Sequence, residues 1–342
     1  MRSFSGSIIA AIENSGLNLN NISQASGVSN AYLAKLVQGN INRPGKDKVA
    51  SIMLALNHTI TEINEALADY DYQPLHPDDI PAILKNNSRR KIEGGNQPQY
   101  DHIYFDMFLV ALERVGGAKI LVKNRPSGVF MPRRLYLMKE FPYESDDAAA
   151  RFRYRLTDAL LEERMALFIR NCEAGNRLET YICRECFDDY LSRHISAPAR
   201  SEHPLRADLV VDYMANALSL AMKRPRIHRI YFMARCPYFH FLMQDADGEH
   251  PKVSYPGRKM HVYNNPRDMR MLEGFTTDLP LVVRHFRQEI DMCRGAVDPT
   301  LTDAYPEAVA AYISERFSAH GMAENLENAL QSLMAVDALT FH

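Results

Sequence analysis

The segment between residues 172 and 194 has the spacing that metal binding requires. Cys172, Cys183, Cys186 and His194 follow one another as Cys-x10-Cys-x2-Cys-x7-His and offer four soft or borderline ligands. Tetrahedral zinc takes ligands of this kind. The second paired knuckle that makes such patterns specific is missing, and cysteine is often a small buried hydrophobic residue. Core cysteines are therefore the favoured interpretation, with a metal site and a redox-responsive thiol pair as alternatives.

The sequence contains none of the familiar catalytic motifs. There is no Gly-x-Ser-x-Gly, no Walker-type phosphate loop and no His-Glu-x-x-His. The acidic pairs at 146–147, 162–163 and 188–189 fall on predicted helices, where exposed faces are their usual place. We therefore expect a protein without enzymatic activity and without a bound cofactor.

A run of aromatic and basic residues offers a second candidate binding site. Arg229, Tyr231, Tyr238 and His240 lie on two predicted strands and have the chemistry of a small-molecule pocket. Aromatic strand residues are more often core, so a core role is the favoured interpretation and a ligand pocket is the alternative. The basic turn at residues 223–226 is a candidate for an anionic ligand, although an exposed turn is the commoner explanation.

Residues 17–43 predict two short helices joined by a Gly-Val-Ser turn. Asn18 caps the first helix, and Gly27 supplies the left-handed conformation that ends it. Ser29 caps the second helix, which is expected to bury Tyr32 or Leu33 together with Leu36. The opposite side of this helix is short and has mostly small side chains, so it is able to enter the major groove of DNA.

The outward side of the second helix carries the candidate DNA contacts. Asn30 is able to form a bidentate pair with adenine, Lys35 to reach guanine, and the methyl group of Ala31 to meet that of thymine. The residues expected to contact the DNA backbone are Asn18, Asn20, Ser29, Tyr32, Asn40, Arg43 and Lys46.

Three more helices surround this pair in the predicted N-terminal domain. Apolar periodicity places them at 4–14, 46–56 and 59–70, the last with Thr59 and Glu62 at capping-box spacing. Five helices with this turn resemble the lambda-repressor-like (Cro/C1, or XRE) DNA-binding domain over about residues 4–75. The resemblance is carried by Leu17, Ile22, Gly27-Val28-Ser29, Tyr32-Leu33, Leu36, Gly39-Asn40, Arg43-Pro44, Val49 and Leu54-Ala55-Leu56.

One position departs from the family pattern. The family usually has Gln at the start of the second helix, where it contacts a phosphate, and this chain has Leu19. Asn18 or Asn20 is expected to take over that contact. The resemblance implies operator binding, and two copies on adjacent half-sites about 34 Å apart would supply useful affinity. A homodimer is therefore expected.

Composition and charge limit the class of protein. The chain has 342 residues, a hydrophobic fraction of 46% and a charged fraction of 24%, which are globular values. No apolar run reaches the roughly 18 residues that span a bilayer, and five cysteines, an odd number, favour reduced thiols. A cytoplasmic protein without a membrane partner is expected.

The net charge of −2 excludes a non-specific nucleic-acid coat, because such binding depends on neutralising phosphates. Residues 1–75 hold five basic and six acidic residues, but four of the five basic ones fall between Lys35 and Lys48. The positive charge of the N-terminal domain is therefore concentrated near the predicted recognition helix.

The rest of the chain predicts a linker at 76–99, which opens with a short helix, and an α+β domain at 100–342. Its sheet is expected to be mostly antiparallel and to be followed by terminal helices. Predicted strands lie at 118–123, 129–138, 177–184, on both sides of 235–237, and at 252–255, 259–263 and 271–275. The expected role of this domain is dimerisation and sensing.

Two stretches of this domain, residues 167–191 and 272–290, resemble phospholipase-D-like sensor domains of bacterial regulators. The catalytic His-x-Lys-x4-Asp signature of that family is absent: the one His-x-Lys is His250-Pro251-Lys252, and Gly257 occupies the Asp position. The resemblance therefore implies a non-catalytic relative.

Together these features predict a sequence-specific transcriptional regulator, expected to repress. It would bind a double-stranded DNA operator and sense a small-molecule or protein effector. Two alternatives stay open. The helix-turn-helix could serve as a protein-interaction or antitoxin-like module, or it could be fused to an unrecognised enzyme domain.

Overall fold

The structure is a computed structural model. It describes residues 6–88, 101–140, 148–196, 207–237, 240–249, 251–255 and 275–336. The chain divides into two compact units: unit 1 consists of Met1–Val110 and Glu140–Glu163, and unit 2 of Ala111–Lys139 and Arg164–His342. Within the described ranges, no helix is both long and apolar enough to cross a membrane.

Helices make up most of the described chain. In chain order they are α1 (Gly6–Asn14), α2 (Leu19–Ser26), α3 (Asn30–Val37), α4 (Lys46–Ala55), α5 (Ile60–Ala68), α6 (Ile80–Ser88), α7 (Asp101–Val115), α8 (Arg133–Glu140), α9 (Ala148–Glu173), α10 (Arg184–Leu191), α11 (Ala207–Lys223), α12 (Pro280–Gly295), α13 (Pro299–Asp303), α14 (Glu307–Ser318) and α15 (Ala323–Met334). Helices α7 and α9 each begin in unit 1 and end in unit 2.

Helix α4 is the centre of the N-terminal helices. All its residues from Val49 to Ala55 are buried, and it contacts α1, α2, α5 and α6. A helix that is apolar on every side has to be surrounded by other helices. The packing of α4 therefore sets where α2 and its neighbours lie in unit 1.

Helix α5 begins with the capping box that its sequence predicts. The Thr59 backbone N–H donates to the Glu62 carboxylate at 2.7 Å, and the Glu62 N–H donates to the Thr59 hydroxyl at 3.3 Å. Both groups would otherwise be unpaired donors of the first turn. The predicted start of this helix is confirmed.

Helix α6 lies within the stretch predicted as a linker, and the short helix expected there is confirmed. The buried Asn86 amide holds it against α4, donating to Asp47 at 2.9 Å and to Ser51 at 3.3 Å. Lys48 donates to the Asn86 carbonyl. Residues 89–100 lie outside the described residues, so the predicted domain boundaries stay a prediction.

Among the described residues, unit 2 contains one six-stranded sheet. Its strands are β1 (Lys119–Lys123), β2 (Leu178–Cys183), β3 (His228–Met233), β4 (Phe241–Gln244), β5 (Lys252–Tyr255) and β6 (Phe275–Thr277). They lie side by side in the order β3-β2-β1-β4-β5-β6. An α+β architecture with helices and one sheet is therefore confirmed.

The sheet is mixed, which corrects part of the prediction. Strands β4, β5 and β6 extend the sheet from β1 in antiparallel ladders, as expected. Strand β2 is parallel to both β1 and β3, and the expectation of a mostly antiparallel sheet fails for this half. Parallel neighbours require long crossovers, and helices α8, α9, α10 and α11 supply them.

The segment predicted as a strand at residues 129–138 is helical. A short 3-10 turn at Gly128–Phe130 precedes α8, and the N–H of Tyr136 donates to the carbonyl of Pro132 at 2.9 Å. Proline has no N–H for a strand ladder but fits well at a helix start. The predicted strand at 259–263 and most of that at 271–275 lie outside the described residues.

Each face of the sheet is covered by helices. On one face Val283, Phe286 and Ile290 of α12 pack against buried strand residues, among them Val122 and Phe241. Helix α11 is buried along nearly its whole length and contacts β3 and α15. The buried strand residues and these helices form the core of unit 2.

Candidate functional site

Helix α2 has the two ends that its sequence predicts. The Asn18 side-chain oxygen accepts from the N–H of Asn21 at 2.9 Å. At the other end Gly27 has φ 73°, and its N–H donates to the Ser23 carbonyl at 2.9 Å. A left-handed backbone at this position costs glycine little and other residues about 1–2 kcal/mol. Gly27 therefore fixes where the turn begins.

Helix α3 begins three residues later and is anchored from one side. The Ser29 hydroxyl accepts from the N–H of Tyr32 at 3.3 Å, and Val28 of the turn is buried. Leu33 and Leu36 have 0% and 1% of their surface exposed. The inward residues thus fix the rotation of α3 about its axis, which determines the residues that face outward.

The predicted base-contacting residues Asn30, Ala31 and Lys35 are all exposed on α3. The Asn30 amide nitrogen donates to the side-chain oxygen of Asn20 on α2. This bond uses one of the two N–H groups of Asn30 and leaves its carbonyl oxygen and second N–H available. Asn20 keeps its own amide N–H groups available in the same way.

The predicted backbone-contacting residues differ in how accessible they are. Asn18, Asn20, Ser29, Asn40 and Arg43 are exposed. The guanidinium of Arg43 stacks on the ring of Tyr72 at 5.0 Å, and the Tyr72 hydroxyl donates to the Pro44 carbonyl at 3.0 Å. This stacking limits where the guanidinium of Arg43 can reach.

Tyr32 is only partly accessible. Burial raises the pKa of its hydroxyl, and a hydrogen bond from the backbone of Gly45 opposes that rise. The hydroxyl is thus used in holding the segment before α4. Sequence reasoning could not detect this bond, because Gly45 is thirteen residues further along the chain.

Two of the four basic residues near the recognition end are neutralised within unit 1. Lys46 forms an ion pair with Asp79 at 2.6 Å and donates to the Pro74 carbonyl at 3.0 Å. Lys48 lies 3.3 Å from the Asp47 carboxylate. Within the described ranges, Lys35 and Arg43 have no acidic partner. The positive charge available at this face is therefore smaller than the sequence suggests.

Three cysteines of unit 2 come together at one edge of the sheet. Cys183 ends β2 and is the N-cap residue of α10, Cys186 lies in the first turn of α10, and Cys236 follows β3. Their sulfur atoms all lie within 4.8 Å of one another, and the Cys186 and Cys236 sulfurs are 3.5 Å apart. Burial raises the pKa of Cys186 and of Cys236.

The other two members of the sequence-predicted set do not join this group. Cys172 is buried on α9, where burial raises its pKa to about 12. The ring of His194 packs against that of Tyr190 at 4.7 Å. The sequence spacing does not identify Cys236 as a member of this group. Cys236 joins it because β2 and β3 pair in parallel, which places the carboxyl ends of both strands at one edge of the sheet.

The residues of the predicted aromatic pocket are spread over the sheet. Arg229 and Tyr231 lie on β3, where the guanidinium of Arg229 donates to the Tyr231 hydroxyl at 3.3 Å and the Tyr231 ring stacks on Tyr181 at 4.8 Å. His240 precedes β4, and β2 and β1 separate β4 from β3. Tyr238 lies outside the described residues.

A shallow depression at the amino ends of β2 and β3 is lined mainly by arginines. Its residues are Arg177, Glu179, Arg226, Ile227 and Arg229. Arg226 belongs to the basic turn singled out in the sequence. Arg177 forms an ion pair with Asp247, which reduces the charge available to an anion.

Comparison with known proteins adds no family to these observations. No family model, no curated protein and no solved structure matches the chain. The function has to be inferred from the residues themselves, among which the exposed side of α3 and the three cysteines have the most specific chemistry.

Proposed function

We propose that the protein is a helix-turn-helix protein that binds double-stranded DNA through α3. The observation that supports the proposal best is the arrangement of α3, whose Leu33 and Leu36 are buried while Asn30, Ala31 and Lys35 are exposed. A helix held from one side with mostly small or polar side chains on the other is the form that enters a major groove.

More particularly, we propose a sequence-specific transcriptional regulator that acts as a repressor. It binds as a homodimer, because one helix reads only a few base pairs and two half-sites multiply the affinity. Unit 2 is large enough to supply dimerisation and effector sensing. A lambda-repressor-like fold of the N-terminal helices is part of the same proposal.

Asn30 is the strongest candidate for a specific base contact. Its bond to Asn20 holds the carboxamide in one orientation, and its remaining oxygen and N–H match the N6 and N7 groups of adenine. A side chain oriented before binding loses less conformational entropy on binding. Lys35, one turn further along α3, would reach guanine.

Asn20 offers a replacement for the phosphate contact that Leu19 cannot make. Its amide nitrogen is a donor close to the start of α2, where backbone N–H groups also attract phosphates. Asn18 uses its side-chain oxygen as the cap of α2, so only its amide nitrogen could contact DNA. We therefore favour Asn20 over Asn18 for this contact.

The experiment that tests the proposal selects bound duplexes from a random pool with the full-length protein. We expect one enriched sequence with two-fold symmetry and half-site centres about 34 Å apart. A salt titration then compares the selected duplex with a scrambled one. Equal affinity for the two would contradict a sequence-specific regulator.

Two substitutions separate base contacts from backbone contacts. Lys35→Ala should cost about 1–3 kcal/mol of binding free energy and relax the preference at one base position. Arg43→Ala should weaken all duplexes alike and reduce the salt slope by about one unit. Lys252→Ala removes an exposed lysine of unit 2 and should change neither the base preference nor the salt slope. Loss of preference with Arg43→Ala would contradict these roles.

A second candidate function is supported by the charge distribution. Lys46 and Lys48 are neutralised by Asp79 and Asp47, which suits a protein-interaction or antitoxin-like module better than a phosphate-binding surface. The two candidates differ in a filter-binding assay. Tight duplex binding removes the second candidate, and absence of duplex binding over a range of low salt concentrations removes the first.

A further inference from the structure

We propose that Cys183, Cys186 and Cys236 form a binding site for a soft metal ion, with zinc(II) as the expected occupant. The proposal concerns unit 2 alone and does not depend on DNA binding by unit 1. These ligands differ from the four that the sequence spacing predicts, because Cys236 takes the place of Cys172 and His194.

The first argument is the distance between the sulfur atoms. Zinc–sulfur bonds of about 2.3 Å in tetrahedral geometry place sulfur atoms about 3.8 Å apart. The Cys186 and Cys236 sulfurs are 3.5 Å apart, and all three lie within 4.8 Å of one another. Small rotations about the side-chain bonds would thus bring all three into bonding distance of one ion.

The second argument is that the sheet and α10 hold the three residues in place. Cys183 pairs with Met233 in the parallel ladder of β2 and β3, and Cys236 follows three residues after Met233. Cys186 lies one turn from Cys183 on α10. The site thus lies at the carboxyl ends of parallel strands, which is where open sheets commonly bind ligands.

The third argument is the electrostatic environment of α10. Cys183 is the N-cap residue, and its side chain makes no capping hydrogen bond. The backbone N–H groups of the first turn and the positive end of the helix dipole favour negatively charged sulfur there. Once a metal ion has displaced their protons, the sulfur atoms of Cys183 and Cys186 would lie beside these N–H groups.

Access to the site is graded from inside to outside. Cys183 is buried, Cys186 is half-buried and Cys236 is exposed, so an ion can enter from the side of Cys236. As the ion binds, each of the three thiols releases one proton to solvent and forms one metal–sulfur bond. No fourth His, Cys, Asp or Glu joins the group among the described residues, and water takes the fourth position.

A disulfide between Cys186 and Cys236 is the competing chemistry. It would require the two sulfurs to approach to about 2.05 Å and an oxidant to accept two electrons. It would also leave Cys183 without a role, whereas a metal ion uses all three sulfurs. The arrangement therefore favours the metal ion.

Binding should also stabilise unit 2, because the ion would link α10 to the end of β3. Arg184, which lies between Cys183 and Cys186, pairs with Asp298. The backbone N–H of Asp298 donates to the Phe232 carbonyl of β3 at 3.0 Å. The metal would add a second link between α10 and the end of β3 and raise the melting temperature.

The test uses the full-length protein, purified with a reductant and stripped of metal with a chelator. Cadmium(II) is added first, because thiolate–cadmium bonds have an ultraviolet charge-transfer band, and zinc(II) is then added in competition. We expect one ion per chain and a higher melting temperature. Cys236→Ser should weaken binding by about 100-fold or more, since loss of an outer-shell partner alone costs 10–100-fold.

Cys172→Ala and His194→Gln are the matched controls and should keep the stoichiometry and affinity of the parent. Cys236 is exposed, so its substitution should leave the fold intact, which circular dichroism checks. No uptake by the reduced parent, unchanged uptake by Cys236→Ser, or loss of uptake only in the controls would each overturn the proposal.

Mild oxidation of the metal-free protein gives the remaining comparison. A Cys186–Cys236 disulfide in a protein that takes up no cadmium when reduced would identify a redox pair and overturn the metal site. Duplex binding is measured on the same samples. A failure of DNA binding with intact metal uptake contradicts only the function proposed for unit 1.

Discussion

The α2–turn–α3 segment and the cysteine group reach their arrangements in different ways. The capping hydrogen bonds of Asn18, Gly27 and Ser29 around the turn of the first each join residues three or four positions apart. The Cys186 and Cys236 sulfurs are brought together across fifty positions of the chain. Local hydrogen bonds define the first, and packing of the sheet defines the second.

This difference predicts how each region responds to substitution. Removing one helix cap costs about 1 kcal/mol. Removing a large buried ring costs about 3–5 kcal/mol, because a cavity remains. Changes in the core of unit 2 should therefore have the largest effects on stability, and changes in the caps of unit 1 the smallest.

Phe232→Ala should have the largest effect. Phe232 is completely buried on β3, and its ring packs against Phe187 of α10 at 5.2 Å and Tyr312 of α14 at 4.6 Å. The substitution should lower the free energy of unfolding by about 3–5 kcal/mol and weaken cadmium binding. Urea unfolding and a cadmium titration measure the two effects.

The control for Phe232 is Leu281→Ala, which removes an apolar side chain that is 76% exposed. It should change stability by less than about 0.5 kcal/mol. A loss below about 1 kcal/mol for Phe232→Ala would mean that long-range packing does not hold this edge of the sheet.

His228 should make unit 2 sensitive to acid. Complete burial lowers its pKa from 6.5 to about 3, and its ring packs against that of Phe130 at 4.7 Å. The folded protein holds His228 in its neutral form, so the contribution of this residue to the free energy of unfolding is fully present above pH 6.5. Stability should fall by about 1.4 kcal/mol per pH unit as the pH decreases from 6.5 toward 3.

His228→Phe should abolish this part of the pH dependence, because phenylalanine has no proton to gain. The free energy of unfolding at pH 7.5, 6.5 and 5.5 measures it. His285→Gln changes an exposed histidine of α12 and should keep the slope of the parent. An unchanged slope in His228→Phe would show that other groups cause the acid sensitivity.

Ser29→Ala should have the smallest effect on stability and a specific effect on binding. Loss of its bond to the Tyr32 N–H should cost about 1 kcal/mol. Because Ser29 precedes the recognition side of α3, duplex affinity should also fall. Thermal unfolding and the binding assay measure the two effects.

Thr59→Ala is the matched control for Ser29→Ala. It removes the same kind of cap from α5 and should cost a similar amount of stability without changing duplex affinity. Equal loss of binding in both variants would mean that stability alone, rather than the position of α3, controls the interaction.

Local signals in the sequence predict the structure well. The cap Asn18, the left-handed Gly27, the cap Ser29 and the capping box of α5 all lie where the sequence predicts them. Each of these depends on a side chain bonding to backbone three or four positions away, or on a backbone that suits glycine. Strands β1, β2 and β3 were also located correctly.

The sequence predicts less where the partner of a residue is distant along the chain. The parallel pairing of β2 with β1 and β3 is such a case. The strand predicted at 129–138 is wrong for a local reason, because Pro132 suits the start of α8. The ion pair of Lys46 with Asp79 removes charge that the sequence count assigned to the DNA face. Cys236 could not be grouped with Cys183 until the strand order was known.

The sequence by itself determined the helices of unit 1 and the residues that face outward on α3, because short-range caps and apolar periodicity act within one or two turns. Only the tertiary structure decided which charges remain available and which cysteines meet. The physical reason is that ion pairs and metal ligands depend on distances in space, and helix packing in unit 1 and strand order in unit 2 set these distances independently of separation along the chain.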